Sequence, residues 1–176
     1  MRTLCSLFGL GLALCLMSCG PGETEPGTIV DHSLWESIPF ESDPFQEYAT
    51  EEVVCPIGGY KAEGVGADQI LEVDTGICNF VTLEQPLPRS LRAGDILNWS
   101  LWHLTLVFAE PAEAFVTLTI GDYTFWERTM PIPSPAAAYT TQLTVPADID
   151  SGAPIRIHLH NHGNNSWRFH KLAVVE

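Results

Sequence analysis

Hydrophobic and polar positions alternate in short runs from about residue 53 to the C-terminus. In the run 113–120, aliphatic residues hold the even positions while Phe115, Thr117 and Thr119 hold the odd ones. Successive side chains of a β-strand point to opposite faces, so this run predicts one buried and one outer face. Gly121-Asp122 then predicts a two-residue hairpin turn. The same reasoning predicts nine strands, near 58–63, 69–74, 79–85, 95–108, 113–120, 123–130, 139–145, 154–161 and 166–175.

Nine strands without a strong helix are typical of an all-β fold, and they favour a two-sheet antiparallel β-sandwich, with a jelly roll as the expected topology. The chain before residue 53 has a different character. Residues 21–27 are rich in Pro, Gly and Glu without periodicity, which predicts a flexible spacer. The stretch up to Glu52 is acidic with scattered aromatic residues. We expect it to lie across the sandwich as an ordered arm, or to be disordered in part.

The N-terminus carries a leader in which Arg2 precedes an almost wholly apolar run, 4–16. That run is too short to span a bilayer as a helix and is typical of a signal peptide. The residues Leu16-Met17-Ser18-Cys19 resemble the lipobox of bacterial lipoproteins. The resemblance implies cleavage before Cys19 and lipid on its sulfur, whereas an ordinary secretory signal cut nearby is the alternative.

Gly20 stands where an Asp would resemble the inner-membrane retention signal, so we expect an outer-membrane protein, on either the periplasmic or the cell-surface side. Several acyl chains would anchor such a protein without a transmembrane helix. The predicted organisation is therefore a signal peptide over 1–18, a lipid-anchored linker and arm over 19–52, and the β-sandwich over 53–176.

Two of the five cysteines remain in the mature domain once the leader and Cys19 are set aside. Cys55 and Cys78 form an even pair in an oxidising compartment, which predicts a disulfide. In the chain-entropy treatment, closing this loop stabilises the fold by about 3 kcal/mol. No Cys-x-x-Cys pattern indicates a redox or zinc motif.

The formal net charge is −14, from 22 acidic against 8 basic residues. An acidic surface repels phosphate backbones and anionic head groups, so nucleic acid is excluded as a partner and peripheral phosphate binding with it. The sequence also lacks a Gly-x-Ser-x-Gly elbow, a His-Glu-x-x-His motif and a phosphate-binding glycine loop. A non-catalytic role without a cofactor is therefore favoured over an enzyme.

Two segments are similar to the galactose-binding-like jelly rolls. Gln85-Pro86-Leu87 with 91–95 resembles their strand–turn–strand entry, and 145–152 followed by 155–163 resembles their closing strands. Many members of that superfamily are carbohydrate-binding modules that use a sheet face or the end loops. The resemblance thus implies a β-sandwich whose ligand is carbohydrate.

His158, His160 and His162 alternate through a predicted strand and share one face, while Ile155, Ile157 and Leu159 form the core side. Surface histidines on a strand commonly have no special role. They could also donate hydrogen bonds to a ligand. In the metal alternative, His158 and His160 would hold zinc or copper with help from His103 or His170.

The change of parity between Leu101 and Leu104 predicts a bulge near Trp102-His103, or a strand buried on both faces. Trp126 and Trp167 have polar neighbours of the kind that bind sugar hydroxyls when the indole stacks on the ring. The ligand-binding candidates are Trp102, His103, Trp126, His158, His160, His162, Asn164, Asn165 and Trp167.

A lipid-anchored, carbohydrate-binding envelope module is therefore the leading hypothesis. The metal-binding protein or metal-dependent enzyme, and a structural or adhesive envelope protein, are the alternatives.

Overall fold

The computed structural model describes residues 26–49, 51–64 and 69–175. The predicted signal peptide and Cys19 lie outside these residues. Within them the chain forms eleven strands and two single-turn 3₁₀ helices, Phe40–Ser42 and Gln46–Tyr48. None of the helices in these described residues has the length and apolar character needed to cross a membrane. The strands are β1 (Gly27–Thr28), β2 (Glu36–Ser37), β3 (Tyr60–Glu63), β4 (Ile70–Asp74), β5 (Phe80–Pro86), β6 (Ile96–His103), β7 (Ala112–Ile120), β8 (Tyr123–Ile132), β9 (Ala137–Thr144), β10 (Pro154–His160) and β11 (Ser166–Val174).

Two antiparallel sheets form a sandwich, as the sequence predicts. The front sheet has the order β3-β4-β11-β6-β9, with β1 added to β11, and the back sheet has the order β2-β5-β10-β7-β8. From β4 onward the chain passes repeatedly from one sheet to the other, and β7–β8 is a hairpin within the back sheet. This alternation between sheets is the connectivity of jelly rolls.

The core lies between the sheets and follows the predicted alternation. On β10, Ile155, Ile157 and Leu159 are at most 2 % exposed, and on β7 the even-numbered residues from Ala114 to Ile120 are fully buried. Burying each large aliphatic side chain stabilises a fold by roughly 1.5–3 kcal/mol, so these strands can face the core in only one register. The turn at Gly121 is also as predicted, and its φ of +57° suits glycine.

The predicted strand over 95–108 is too long, and its predicted bulge is wrong. β6 ends at His103 and pairs with β9 without a register shift. The apolar parity changes because the chain leaves the sheet there: Leu104 is exposed, whereas Leu106 returns to the core through an isolated bridge to Ser134. β6 is not buried on both faces either, since its residues alternate between buried and half-buried.

The bulge lies instead on the neighbouring strand β11, between Phe169 and Lys171, so that His170 is the extra residue. A second register shift separates Leu118 from Thr119 in the β7–β8 pair. A bulge leaves one residue without a ladder partner and re-aims the side chains around it. On β11 this occurs at the outer surface of the front sheet.

Residues 26–49, which we call the arm, run along both sheets. β1 pairs with the end of β11, and Ile29 beyond it is fully buried in the core. The buried Trp35 donates its indole N–H to Nδ1 of His32, at 3.1 Å. Nε2 of His32 must then carry the proton and donate to the His170 carbonyl, at 2.9 Å. β2 pairs with β5 at the edge of the back sheet, and the two 3₁₀ turns follow.

The predicted disulfide between Cys55 and Cys78 is present. It joins the segment that follows the arm to the turn before β5, where Cys78 is fully buried. Asn79 lies directly beside it, and its backbone N–H donates to the carbonyl of Val54. The segment 51–55 is thereby held against the start of β5, close to the end of β10, since Phe80 and His160 are cross-strand partners.

Candidate functional site

The nine ligand-binding candidates do not converge at one place. The structure distributes them among the core, the outer faces of the two sheets, the loop between β10 and β11, and the side of the sandwich where β8 and β9 face each other. Each group therefore has to be judged by its own contacts.

His103 and Trp167 belong to the core. Their rings pack together with centroids 4.6 Å apart, and they are 2 % and 0 % exposed. The indole N–H of Trp167 donates to Oδ1 of Asn161, and Nδ1 of His103 lies 2.7 Å from the Leu104 carbonyl oxygen. Burial lowers the pKa of His103. Both residues are thus enclosed between the sheets, where they support the fold.

His158 lies on the outer face of the back sheet, yet it is fully buried because the arm covers it. The ring of Phe45 stacks on the imidazole at 4.5 Å, and Phe80 meets it edge-on at 4.6 Å. Tyr48 stacks on Phe115 of the same face, at 4.9 Å. We call this surface, with the arm upon it, the covered face.

A buried chain of hydrogen bonds connects the arm to His158. Oγ1 of Thr82 lies 2.8 Å from Oδ1 of Asp43 and 2.8 Å from Nδ1 of His158. A carboxylate only accepts, so the Thr82 hydroxyl donates to Asp43 and must accept from a protonated Nδ1 of His158. Nε2 is left as a bare acceptor without a partner among the described residues. Burial, followed by the neighbouring His160, lowers the pKa of His158 to about 3, so the ring is neutral.

His160 and His162 lie at the rim of the covered face, next to the disulfide. Their ring centroids are 5.0 Å apart, and Nδ1 of His162 is 3.2 Å from a carboxylate oxygen of Glu51. Burial and then the neighbouring His162 lower the pKa of His160. Among the described residues, one donor atom from each of His160, His162 and Glu51 lie within 4.8 Å of one another. The structure therefore groups His160 with these two residues and not with His158.

The loop between β10 and β11 uses its asparagines differently. Asn165 is 4 % exposed, accepts a hydrogen bond from the Val107 backbone at 2.7 Å and donates to the His162 carbonyl at 2.9 Å. Asn164 is exposed. Asn165 thus shapes the loop, and only Asn164 of this pair presents its side chain to solvent.

Trp126 is half-buried at the side where β8 faces β9. Its ring lies 6.3 Å from Trp99 and 6.0 Å from Tyr139, and Arg128 lies over the Tyr139 ring at 4.7 Å. The Trp126 indole thus packs at the edge of the core, and the Arg128 guanidinium lies on the neighbouring Tyr139 ring.

Trp102 is half-buried on the outer face of the front sheet, which we call the open face. It lies directly between Ala138 of β9 and Arg168 of β11 in the pairing register. This row of cross-strand partners continues across the sheet through Glu72 of β4 to Lys61 of β3. Arg168 donates to the Glu72 carboxylate at 2.7 Å. The row thus places an aromatic ring next to a fixed cation and a fixed carboxylate.

The bulge residue His170 meets Trp102 edge-on, at 5.9 Å between centroids, and its Nδ1 is 3.5 Å from Oγ of Ser100. His170 and Lys171 also line a groove of about 910 Å³ between β11 and the beginning of the arm. Asp31 and Gln69 add polar groups to its wall. The volume is in the range of small-ligand sites. The open face and this groove, joined at His170, form one continuous polar surface.

Arg168 and Glu72 of this surface are absent from the sequence-derived candidates, and His170 is among them only as a further ligand in the metal alternative. The signal that could have identified Arg168 is the alternation around Trp167: if Trp167 and Phe169 face the core, then Arg168 must face outward. The pairing of Glu72 with Arg168 and the bulge at His170 leave no comparable mark in a single sequence, because both depend on strand register.

No family model matches the sequence, and no curated protein matches it. Among solved structures, the chain is similar to TmCBM27, a carbohydrate-binding module described for specific mannan recognition, with a TM-score of 0.51 and 8% identity over 86% of this chain and 95% of that one. TmCBM61 in complex with β-1,4-galactotriose gives a TM-score of 0.43 and 9% identity over 85% and 99% of the two chains. The K3 cleaved adhesin domain of Lys-gingipain from Porphyromonas gingivalis w83 gives 0.48 and 10% over 88% and 100%.

At such low identity the similarity to TmCBM27 concerns the fold alone. The structural neighbours of this chain thus include carbohydrate-binding modules, and the two-sheet sandwich is a fold that such modules use.

Proposed function

We propose that this protein is a non-catalytic carbohydrate-binding module, anchored in the outer membrane through lipid on Cys19, that binds a neutral glycan on the open face. The shared fold and the lipobox-like residues support the two halves of this proposal. Shared fold alone is a weak guide to function, since binding depends on particular residues.

The position of Trp102 carries the proposal. An indole that is partly accessible on a sheet can stack against the apolar C–H face of a pyranose. Arg168 and Glu72 sit in the same row, and their mutual hydrogen bond fixes both side chains before a ligand arrives. A guanidinium donates and a carboxylate accepts, so the pair is suited to two neighbouring sugar hydroxyls.

The neighbouring positions support a chain-like ligand over a single small molecule. Ser100 and Thr140 are cross-strand partners in the next row, and Asn98 pairs with Gln142 in the row after that. These hydroxyl and amide groups can both donate and accept. A glycan that stacks on Trp102 can therefore continue along these rows or across His170 into the 910 Å³ groove.

The charge of the open face indicates a neutral ligand. Lys61 and Arg168 are each paired with a carboxylate, at 2.8 Å to Glu63 and 2.7 Å to Glu72. The row that contains Trp102 is thus locally balanced although the chain as a whole carries −14. An acidic polysaccharide would be repelled by the whole-protein field without finding an unpaired cation in this row.

The test is binding of the purified protein to a panel of soluble polysaccharides, with Trp102→Ala compared with Tyr123→Ala. Tyr123 is an exposed aromatic residue of the back-sheet hairpin, remote in topology from the open face. We expect Trp102→Ala to weaken glycan binding at least tenfold, about 1.4 kcal/mol, and Tyr123→Ala to leave it unchanged. Equal losses in the two variants, or no binding across the panel, would contradict the proposal.

Membrane attachment is tested separately. Mass spectrometry of the mature N-terminus should find an acylated Cys19, and Cys19→Ser should move the protein from the membrane fraction to the soluble fraction. A Cys19→Ser protein that stays in the membrane fraction would refute lipid anchoring and leave the glycan proposal intact.

A further inference from the structure

Two imidazoles and a carboxylate meet at one end of the back sheet, away from the Trp102 row. His160 ends β10, His162 lies in the loop that follows, and Glu51 lies in the segment that leads to Cys55. Donor atoms of all three lie within 4.8 Å of one another. The chain brings them together over more than one hundred residues, so the cluster is a product of the tertiary fold.

The carboxylate is oriented by Asn79. The Asn79 side chain donates to Oε1 of Glu51 at 3.0 Å and to the Glu52 carbonyl at 2.8 Å. Its own Oδ1 accepts from the Val54 backbone, at 2.8 Å. The disulfide at the adjacent Cys78 holds the same segment covalently. Glu51 is thus exposed to solvent yet fixed at one oxygen, in the way that outer-shell groups orient carboxylates at metal sites.

The backbone of His162 and the ring of His160 are also held in place. The His162 carbonyl accepts hydrogen bonds from the side chains of Asn161 and Asn165, at 2.8 and 2.9 Å. His160 is 8 % exposed and packs against Phe80, with centroids 5.5 Å apart. In the described part of the chain its ring nitrogens make no hydrogen bond, so they are free to bind a ligand.

We propose that Glu51, His160 and His162 form a binding site for a divalent transition metal, of which Zn²⁺ fits best. Two neutral imidazoles and one carboxylate are a donor set that zinc accepts, at about 2.0–2.2 Å, with water completing a tetrahedron. The three donor atoms, within 4.8 Å of one another, would reach those distances by rotation of their side chains toward the ion. Calcium and magnesium prefer oxygen-only sites, so they fit this donor set poorly.

A metal here would join the segment before Cys55 to the end of β10, next to the existing disulfide. It would replace the 3.2 Å contact between His162 and Glu51 with two bonds to a common ion. Since the ion binds the folded chain in preference to the unfolded one, it should also raise the thermal stability. This site is independent of glycan binding on the open face.

The test is a calorimetric titration of ZnCl₂ into the purified full chain without an affinity tag, after dialysis against EDTA and removal of the chelator. We expect saturable binding of one ion per chain. Glu51→Gln and His162→Gln should each weaken the affinity at least tenfold. Glu51→Gln keeps an amide oxygen for Asn79 and should fold normally, which the melting temperature without metal will verify.

The matched control is His170→Gln, which removes an exposed histidine of the front sheet. It should bind Zn²⁺ within twofold of the unmodified chain. Zinc should raise the melting temperature of the unmodified chain and of His170→Gln, but not of His162→Gln. The proposal is overturned if no one-to-one binding is seen, or if Glu51→Gln and His162→Gln bind as the unmodified chain does. Glycan binding can persist in either case, because it uses other residues.

Discussion

The two outer faces of the sandwich are built by the same strand alternation but differ in what lies on them. On the open face, Trp102 is half-buried and His170 is exposed. On the covered face, His158 occupies a comparable outward position on a central strand and is 0 % exposed. The difference comes from the arm, whose Phe45 and Tyr48 stack on His158 and Phe115. Outward orientation in a strand therefore does not by itself give access to solvent.

The aromatic stacking positions of the covered face are filled by the chain itself. Phe80 and Phe115 flank His158, and the arm supplies the rings that lie against them. The Asp43–Thr82–His158 hydrogen bonds hold the arm in place beneath those rings. A ligand could bind there only after displacing the arm, whereas the open face needs no such rearrangement. The comparison thus assigns a structural role to the covered face and leaves the open face accessible for the recognition proposed above.

The largest effect is expected from Thr82→Val on the covered face. The substitution keeps the side-chain shape but removes the hydroxyl that joins the Asp43 carboxylate to His158 Nδ1. Two buried polar groups then lose a partner, which should lower the free energy of unfolding by about 3 kcal/mol. Chemical denaturation measures this change. The control Thr140→Val, at an exposed position of β9, should change the free energy of unfolding by less than about 0.5 kcal/mol. Equal effects of the two substitutions would contradict the structural difference between the two faces.

Acid should weaken the covered face through His158. Its pKa is lowered to about 3 in the folded chain, against about 6.5 when unfolded, so between these values only the unfolded chain takes up the proton. The contribution of His158 to the free energy of unfolding is therefore fully present above pH 6.5 and is lost as the pH decreases. Between pH 6.5 and 5 this loss amounts to about 2 kcal/mol.

The measurement is the free energy of unfolding at several pH values in EDTA, for the unmodified chain, His158→Phe and His170→Gln. The phenyl ring suits the aromatic surroundings and cannot take up a proton, so His158→Phe should show a shallower loss towards acid. His170→Gln should follow the unmodified chain. Parallel curves for all three proteins would mean that the covered face does not keep His158 neutral.

The smallest effect is expected at the end of the open-face row. Lys61 has a side chain 58% exposed and pairs with Glu63 at 2.8 Å. Exposed ion pairs contribute little because water screens them, so Lys61→Ala should change the free energy of unfolding by less than about 0.5 kcal/mol. The same denaturation experiment measures it. A loss of about 2 kcal/mol or more would indicate that the open face, too, has a structural role.

Local alternation was sufficient to predict the sandwich. Ile155, Ile157 and Leu159 could face only the core, and the disulfide between Cys55 and Cys78 was predicted from the number of cysteines in the domain and the expected compartment. The parity rule was misleading at β6 because the chain leaves the sheet at His103, and a sequence pattern does not distinguish a bulge from a strand that ends.

The surroundings of the candidate residues could not be predicted in the same way. Residues 39–49 have no periodicity, so nothing local indicated that Phe45 would cover His158. Trp167 shares the parity of Phe169 and has polar neighbours on both sides, whereas Trp102 follows Leu101 directly, at the change of parity. Only the strand boundaries and the pairing register show that the Trp102 ring faces outward. Glu51 reaches His162 through the disulfide and Asn79, a contact that needs the whole fold.

The two residues of β2 have a consequence for the self-association of the protein. Glu36 and Ser37 pair with Glu84 and Leu83, at the edge that β5 would otherwise present. An uncovered strand edge is a template on which another chain can add a strand, and charged residues at the edge discourage this. The seven residues of β5 include Phe, Val and Leu. If the arm were detached, copies of this protein would be expected to aggregate through their back sheets, edge to edge.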